Sequence, residues 1–122
     1  MWVYEQSSGK LLHDGQLVGE GYSGHGKGVN NPKLQDVHDT GPIPQGEWRI
    51  GEPYDQSEHG PCVMQLTPEP GTETFGRTEF LMHGDLKDKP GQLLASKGCI
   101  IMPRWVRDTV ARSGDNLLKV TA

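Results

Sequence analysis

This chain is poor in the residues that build disulfide frameworks, metal centres and membrane spans. Its 122 residues include only two cysteines, Cys62 and Cys99. One disulfide is the most they permit, and in a reducing compartment both are expected as free thiols. Neither belongs to a Cys-x-x-Cys pair, and His25, His38, His59 and His83 show no His-x-x-x-His spacing. A metal site is therefore not expected. No apolar stretch approaches the roughly 20 residues a membrane span requires. The opening Met1-Trp2-Val3-Tyr4-Glu5-Gln6 has neither the basic start nor the apolar centre of a signal peptide. These absences predict a protein kept in the cytoplasm unless a dedicated, signal-independent route exports it. Basic charge is also in deficit. A formal net charge of −4 argues against nucleic acid or an anionic membrane as partner. Repeats, low-complexity tracts and linkers are lacking too, so residues 1–122 read as a single monomeric domain.

What the chain does have is turns. It carries 17 Gly and 9 Pro against a hydrophobic content of 33%, a balance that favours short strands over a helical bundle. Strands are expected at 1–5, 46–50, 62–67, 77–83, 98–102 and 117–121. Residues 10–13 and 16–21 flank Asp14-Gly15, a hairpin signal because both turn positions tolerate positive φ. Residues 22–46 show no period and read as a long turn-rich excursion, either a functional flap or a disordered segment. One helix is expected near 103–113, entered at Pro103 and ended by Gly114. Met102, Val106, Thr109 and Val110 share its inner face, while Arg104, Arg107 and Arg112 stay wet. The sum is a mainly β fold, a sandwich or open barrel with about one helix. Trp2, Trp48, Trp105 and Cys62 are expected in the core.

One spacing points to chemistry. His83 closes the apolar run Phe80-Leu81-Met82, and Cys99 opens Ile100-Ile101-Met102 after a Ser96-Lys97-Gly98 turn. Adjacent strand ends can bring a thiol to an imidazole, and the residues between them are numerous enough to loop out and return. A thiol beside a base is the minimum apparatus for covalent acyl transfer. Gly98 permits a tight turn that aims successive N–H groups at one point, as an oxyanion hole requires. His before Cys at short range does not fit papain-like peptidases, which place Cys first.

The pair His83-Gly84 and Ser96-Lys97-Gly98-Cys99-Ile100 resembles the L,D-transpeptidase (YkuD-like) signature. So do Tyr22-Ser23-Gly24 and Gly41-Pro42-Ile43-Pro44-Gln45-Gly46-Glu47-Trp48-Arg49-Ile50. With Asn30-Asn31-Pro32 the chain is closer still to the small L,D-transpeptidase-like effectors of type VI secretion. The resemblance implies Cys99 as nucleophile and His83 as general base. The N–H groups of Gly98 and Cys99 would form the oxyanion hole, with Ser96 supporting the turn. Gly84 and Asp85 would fix the loop after the base, and a backbone carbonyl or Asp85 would orient the imidazole. Ser23, Gly24, His25 and Lys97 are the implied substrate contacts. The substrate would be a peptidoglycan stem tetrapeptide, processed without a cofactor by L,D-carboxypeptidase or D-amino-acid exchange chemistry. An immunity protein is an implied partner, and the periplasm the implied place of action. Lys97, Ile100 and Ile101 depart from housekeeping L,D-transpeptidases, which usually have His at the first position and a polar residue just after the Cys. Cross-linking therefore ranks last.

Two other functions use the same residues. A catalytically silent module would hold stem peptides in the same cleft, and a generic cysteine amidase would act on other peptides. Gly24-His25-Gly26-Lys27-Gly28 is not a phosphate loop, because no Gly-Lys-Ser/Thr ending and no amphipathic helix follows. It reads as a glycine-rich flap beside the cleft.

Overall fold

A computed structural model describes all residues, 1–122. Ten strands and one α-helix are present: β1 (Trp2–Glu5), β2 (Lys10–His13), β3 (Gln16–Glu20), β4 (Tyr22–Ser23), β5 (Gly46–Ile50), β6 (Tyr54–Gln56), β7 (Gly60–Pro68), β8 (Phe80–His83), β9 (Ile100–Ile101), α1 (Arg104–Arg112) and β10 (Leu117–Thr121). The fold is mainly β, with one nearly closed, barrel-like sheet. Its strand order is β3-β2-β1-β10-β5-β7-β8-β9-β4, and β6 pairs with β7 outside this path. An open barrel, the second of the two expected forms, describes it.

Alternation places the core. Trp2 and Tyr4 of β1, Trp48 and Ile50 of β5, and Leu118 and Val120 of β10 all point inward and are buried, as period-2 strands require. They meet Met64, Leu66, Phe80, Met82, Ile100 and Met102 in one apolar cluster. The helix closes one side with Val106 and Val110. Trp48 Nε1 donates to the Pro44 carbonyl at 3.1 Å, so its buried polar end has a partner.

Three expectations need correction. Trp105 is exposed, because it falls on the outer face of the helix away from Val106 and Val110. Arg107 is not wet but buried, its guanidinium donating to the carbonyls of Met102, Pro61 and Cys62. The helix lies against β7 there, and β7 offers carbonyls rather than solvent. The strand expected at 77–83 begins only at Phe80. Glu79 has φ +66°, which breaks the extended run.

The excursion from 22 to 46 is built rather than loose. It contains β4 and two short 3₁₀ turns, Gly26–Gly28 and Pro32–Leu34. Ile43 is fully buried, and Gln6, equally buried, donates to its carbonyl at 2.8 Å. The pairing that matters most for chemistry lies beyond it: β8 runs parallel to β9, with Met82 opposite Ile100 and His83 opposite Ile101.

Candidate active site

The β8–β9 ladder decides where the two reactive groups stand. Cys99 lies one residue before β9, level with Leu81 if the register is continued. In a parallel pair, residues level with each other share a face, as do alternate residues along a strand. Cys99 therefore shares a face with His83, two positions further along the neighbouring strand. Both line one cavity of about 1040 Å³, together with Gly84, Asp85, Lys97 and Gly98.

The turn before Cys99 is braced from below. Ser96 is fully buried. Its hydroxyl donates to the Cys99 carbonyl at 2.6 Å and accepts the N–H groups of Gly24 and Gly98, both at 3.0 Å. Ser23 Oγ donates to the Gly98 carbonyl at 3.0 Å and accepts the Ile43 N–H at 2.9 Å. Gly98 has φ +138°, and a Cβ there would lie 2.7 Å from Arg77 Nη2 and 3.0 Å from the Phe80 ring. Only glycine suits both the conformation and the space.

These contacts revise several expected roles. The Gly98 N–H is already bonded to Ser96 Oγ, so it is not free to serve as one of the expected pair of oxyanion donors. Ser23 and Gly24 are buried behind the turn and, like His25, lie outside the cavity lining. Ser23 and Gly24 bond to the turn before Cys99 from beneath, because β4 pairs with β9 and draws them under it. Lys97 does line the cavity.

His83 is almost completely buried. Its Nδ1 lies 2.8 Å from the Gly84 carbonyl. A carbonyl only accepts, so Nδ1 carries the proton and Nε2 keeps a lone pair. Nε2 is buried and has no hydrogen-bond partner. The Cys99 thiol donates to the Glu79 carbonyl instead, so the expected thiol–imidazole contact is not made, because the two groups lie two positions apart along the ladder. Of the two candidate orienting groups, the backbone carbonyl holds the ring. Asp85 has other work: it accepts from Tyr22 Oη and from the N–H groups of Leu86 and Gly91, which folds the loop after the base. Burial pushes His83 well down, to about 4, against the Gly84 hydrogen bond, and nearby His59 and Arg107 lower it further. Burial also pushes the Cys99 thiol up, the Glu79 carboxylate adding to the effect while the Leu81 N–H opposes it. At neutral pH the pair therefore rests as thiol and neutral imidazole, not as an ion pair.

Two groups in this cavity were not singled out for chemistry from sequence. Arg77 is buried and donates to the carbonyls of Gln35, Pro42, Gly41 and Lys97. It ties the Pro-rich excursion to the turn before Cys99, and its guanidinium sits 5.3 Å from the Phe80 ring centre. His59, in the turn between β6 and β7, stacks on His83 with ring centres 4.0 Å apart and planes 23° apart. Nothing local in the sequence marks either residue, since both acquire their roles only from the pairing of distant segments. Cys62 is a free, buried cysteine, as is fitting for a core position.

Residues 18–119 match the family model of the Tlde1 domain. The chain belongs to the Tlde1 domain family. This is a family of type VI secretion effectors. The match begins within β3 and runs into β10, so the Tlde1 domain takes in His83, Cys99 and the whole braced turn. No curated protein matches the chain by sequence. No helix is long and apolar enough to cross a membrane.

Proposed function

We propose that this chain is a cysteine acyl transferase or hydrolase of peptidoglycan stem tetrapeptides, acting as an L,D-carboxypeptidase or D-amino-acid-exchanging L,D-transpeptidase. The observation that carries the reading is the shared cavity of Cys99 and His83, with the His83 tautomer fixed so that the buried, unpartnered Nε2 keeps its lone pair. Membership of an effector family supports delivery by a type VI route, action in the periplasm of a target cell, and an immunity protein as partner.

His83 Nε2 takes the Cys99 proton as sulfur attacks the amide carbonyl between the third stem residue and the terminal D-Ala. The oxyanion is met by the Cys99 N–H, a donor of a kind that contributes about 3 kcal/mol in comparable sites. The tetrahedral species collapses, the carbon–nitrogen bond breaks, and His83 returns the proton to the departing amine. A thioester remains. Water, deprotonated by the same Nε2, then releases a tripeptide, or the amine of a free D-amino acid takes its place. The turn bonds of Ser96 and Ser23 hold the backbone that carries Cys99 through both steps, and Lys97 stands in the cavity wall to meet a substrate carboxylate.

The test is mass spectrometry of purified muropeptides with the protein and its Cys99→Ala variant, with and without a free D-amino acid. The expected result is loss of one D-Ala mass, or its replacement by the added amino acid, only with intact Cys99. Unchanged tetrapeptide in both samples overturns the reading. Binding without turnover would make the domain a stem-peptide module.

A further inference from the structure

A single hydrogen bond from Nδ1 to the Gly84 carbonyl holds the His83 ring, and one bond leaves the ring free to rock about that contact. What lies against the ring face is His59, 4.0 Å away and 23° from parallel. We propose that His59 is a positioning residue, a stacked plate that keeps the His83 imidazole in the plane where Nε2 serves Cys99 and shields that plane from water. The inference rests on the acyl-transfer reading of Cys99 and His83.

The elements that carry His59 are suited to this. The turn between β6 and β7 is anchored at its base, where the Asp55 carboxylate accepts the Cys62 N–H at 3.2 Å. Gly60 has φ +81° and lets the chain reverse immediately after His59. The plate is thus hung from a paired strand rather than a free loop. His59 lines the same cavity as Cys99 and His83 and its side chain is 26% exposed, so it can be replaced without emptying the core. His83 Nε2 is buried yet unpartnered, a state that a wobbling ring would relieve by turning toward water.

The charged groups around His83 act together. Glu58 and His59 come from the β6–β7 turn, Arg107 from the helix, and Asp85 from the loop after His83, while Cys99 and Glu79 line the same cavity. His59 opposes a proton on His83, while Glu58, 3.9 Å from His59 Nε2, weakly favours one. Burial of the inner ring and repulsion from the outer one work in the same direction.

The experiment follows alkylation of Cys99 by iodoacetamide between pH 4 and 9, assigned by peptide mass so that Cys62 does not interfere, in His59→Ala and His59→Phe. Removing the ring is expected to slow alkylation about tenfold at neutral pH through loss of alignment. It should also move the His83-dependent limb up by about one pH unit as water reaches the ring. Phe restores the stack and is expected to return the rate to near the original. Unaltered rate and limb in His59→Ala overturn the proposal, and so does a folded His59→Phe that fails to rescue. If Ala does not fold, His59→Gln supplies the ring-free comparison. The probe contains no wall peptide. Failure on muropeptides with this alkylation pattern intact would overturn the substrate assignment and leave the role of His59 standing.

Discussion

The Cys99 thiol donates to the Glu79 carbonyl across 3.8 Å, and the lone pair of His83 Nε2 meets no donor. Acid and base stand in one cavity without sharing the proton. Glu79 reaches this position through a left-handed backbone (φ +66°), which turns its carbonyl toward the sulfur. The thiol rests on a weak acceptor, and the proposed acyl transfer requires it to swing toward the imidazole.

A neutral resting pair has a kinetic signature. The acid limb of turnover on muropeptides should fall near the His83 value of about 4 instead of the usual imidazole value near 6.5. Initial rates between pH 3.5 and 9 check this, and His83→Ala should lower the rate about 100-fold or more. A limb at 6.5 would mean that His83 is well solvated during catalysis.

The same burial links stability to pH. His83 titrates at about 4 in the folded chain and near 6.5 when unfolded. Between those values the unfolded state binds more protons, so stability falls as pH drops from 6.5 to 4 and this contribution is then fully lost. The difference amounts to about 3 kcal/mol at most. Urea unfolding at pH 7 and pH 4.5 should show the loss, and His83→Asn should flatten it.

Arg77→Ala removes a buried cation that donates to the carbonyls of Gln35, Pro42, Gly41 and Lys97. Destabilisation of about 3 kcal/mol is expected from the carbonyls left without donors. Arg77→Lys should recover only part of this, because an ammonium cannot present the planar fork. Thermal melts measure both. Alkylation of Cys99 below the melting point reports whether the turn has loosened.

Gly98→Ala should be worse for activity than for folding. The new methyl meets Arg77 Nη2 at 2.7 Å at a backbone angle that disfavours a side chain. Relief of the clash must shift either Arg77 or the turn that carries Cys99. Turnover is expected to fall about 100-fold, as a displacement of about 1 Å at the nucleophile implies, while the circular dichroism spectrum stays unchanged.

Much of this site was legible because its signals are local. Asp14-Gly15 marks a hairpin by φ alone, Pro103 and Gly114 bracket the helix, and Gly98 announces a turn that no other residue tolerates. His83 and Cys99 end and begin apolar runs, and runs become strands. Arg107 misleads for the opposite reason: its helical position promises solvent, and only the approach of β7 supplies carbonyls instead. His59 and Arg77 are silent in sequence because each is defined by a partner from a distant segment. Ser23 carries a family-like motif whose hydroxyl turns out to point into the protein, a distinction that depends on the pairing of β4 with β9.

The parallel ladder between β8 and β9 separates reactivity from recognition. Spacing of sulfur and imidazole is fixed by backbone rungs at Met82–Ile100 and His83–Ile101, whereas the connecting stretch from Leu86 to Leu94 is exposed. Apart from Leu86 and Gly91, whose N–H groups bond Asp85, that rim can vary while the ladder stays as it is. A library confined to its other positions would vary the cavity rim over an unaltered Cys99–His83 ladder.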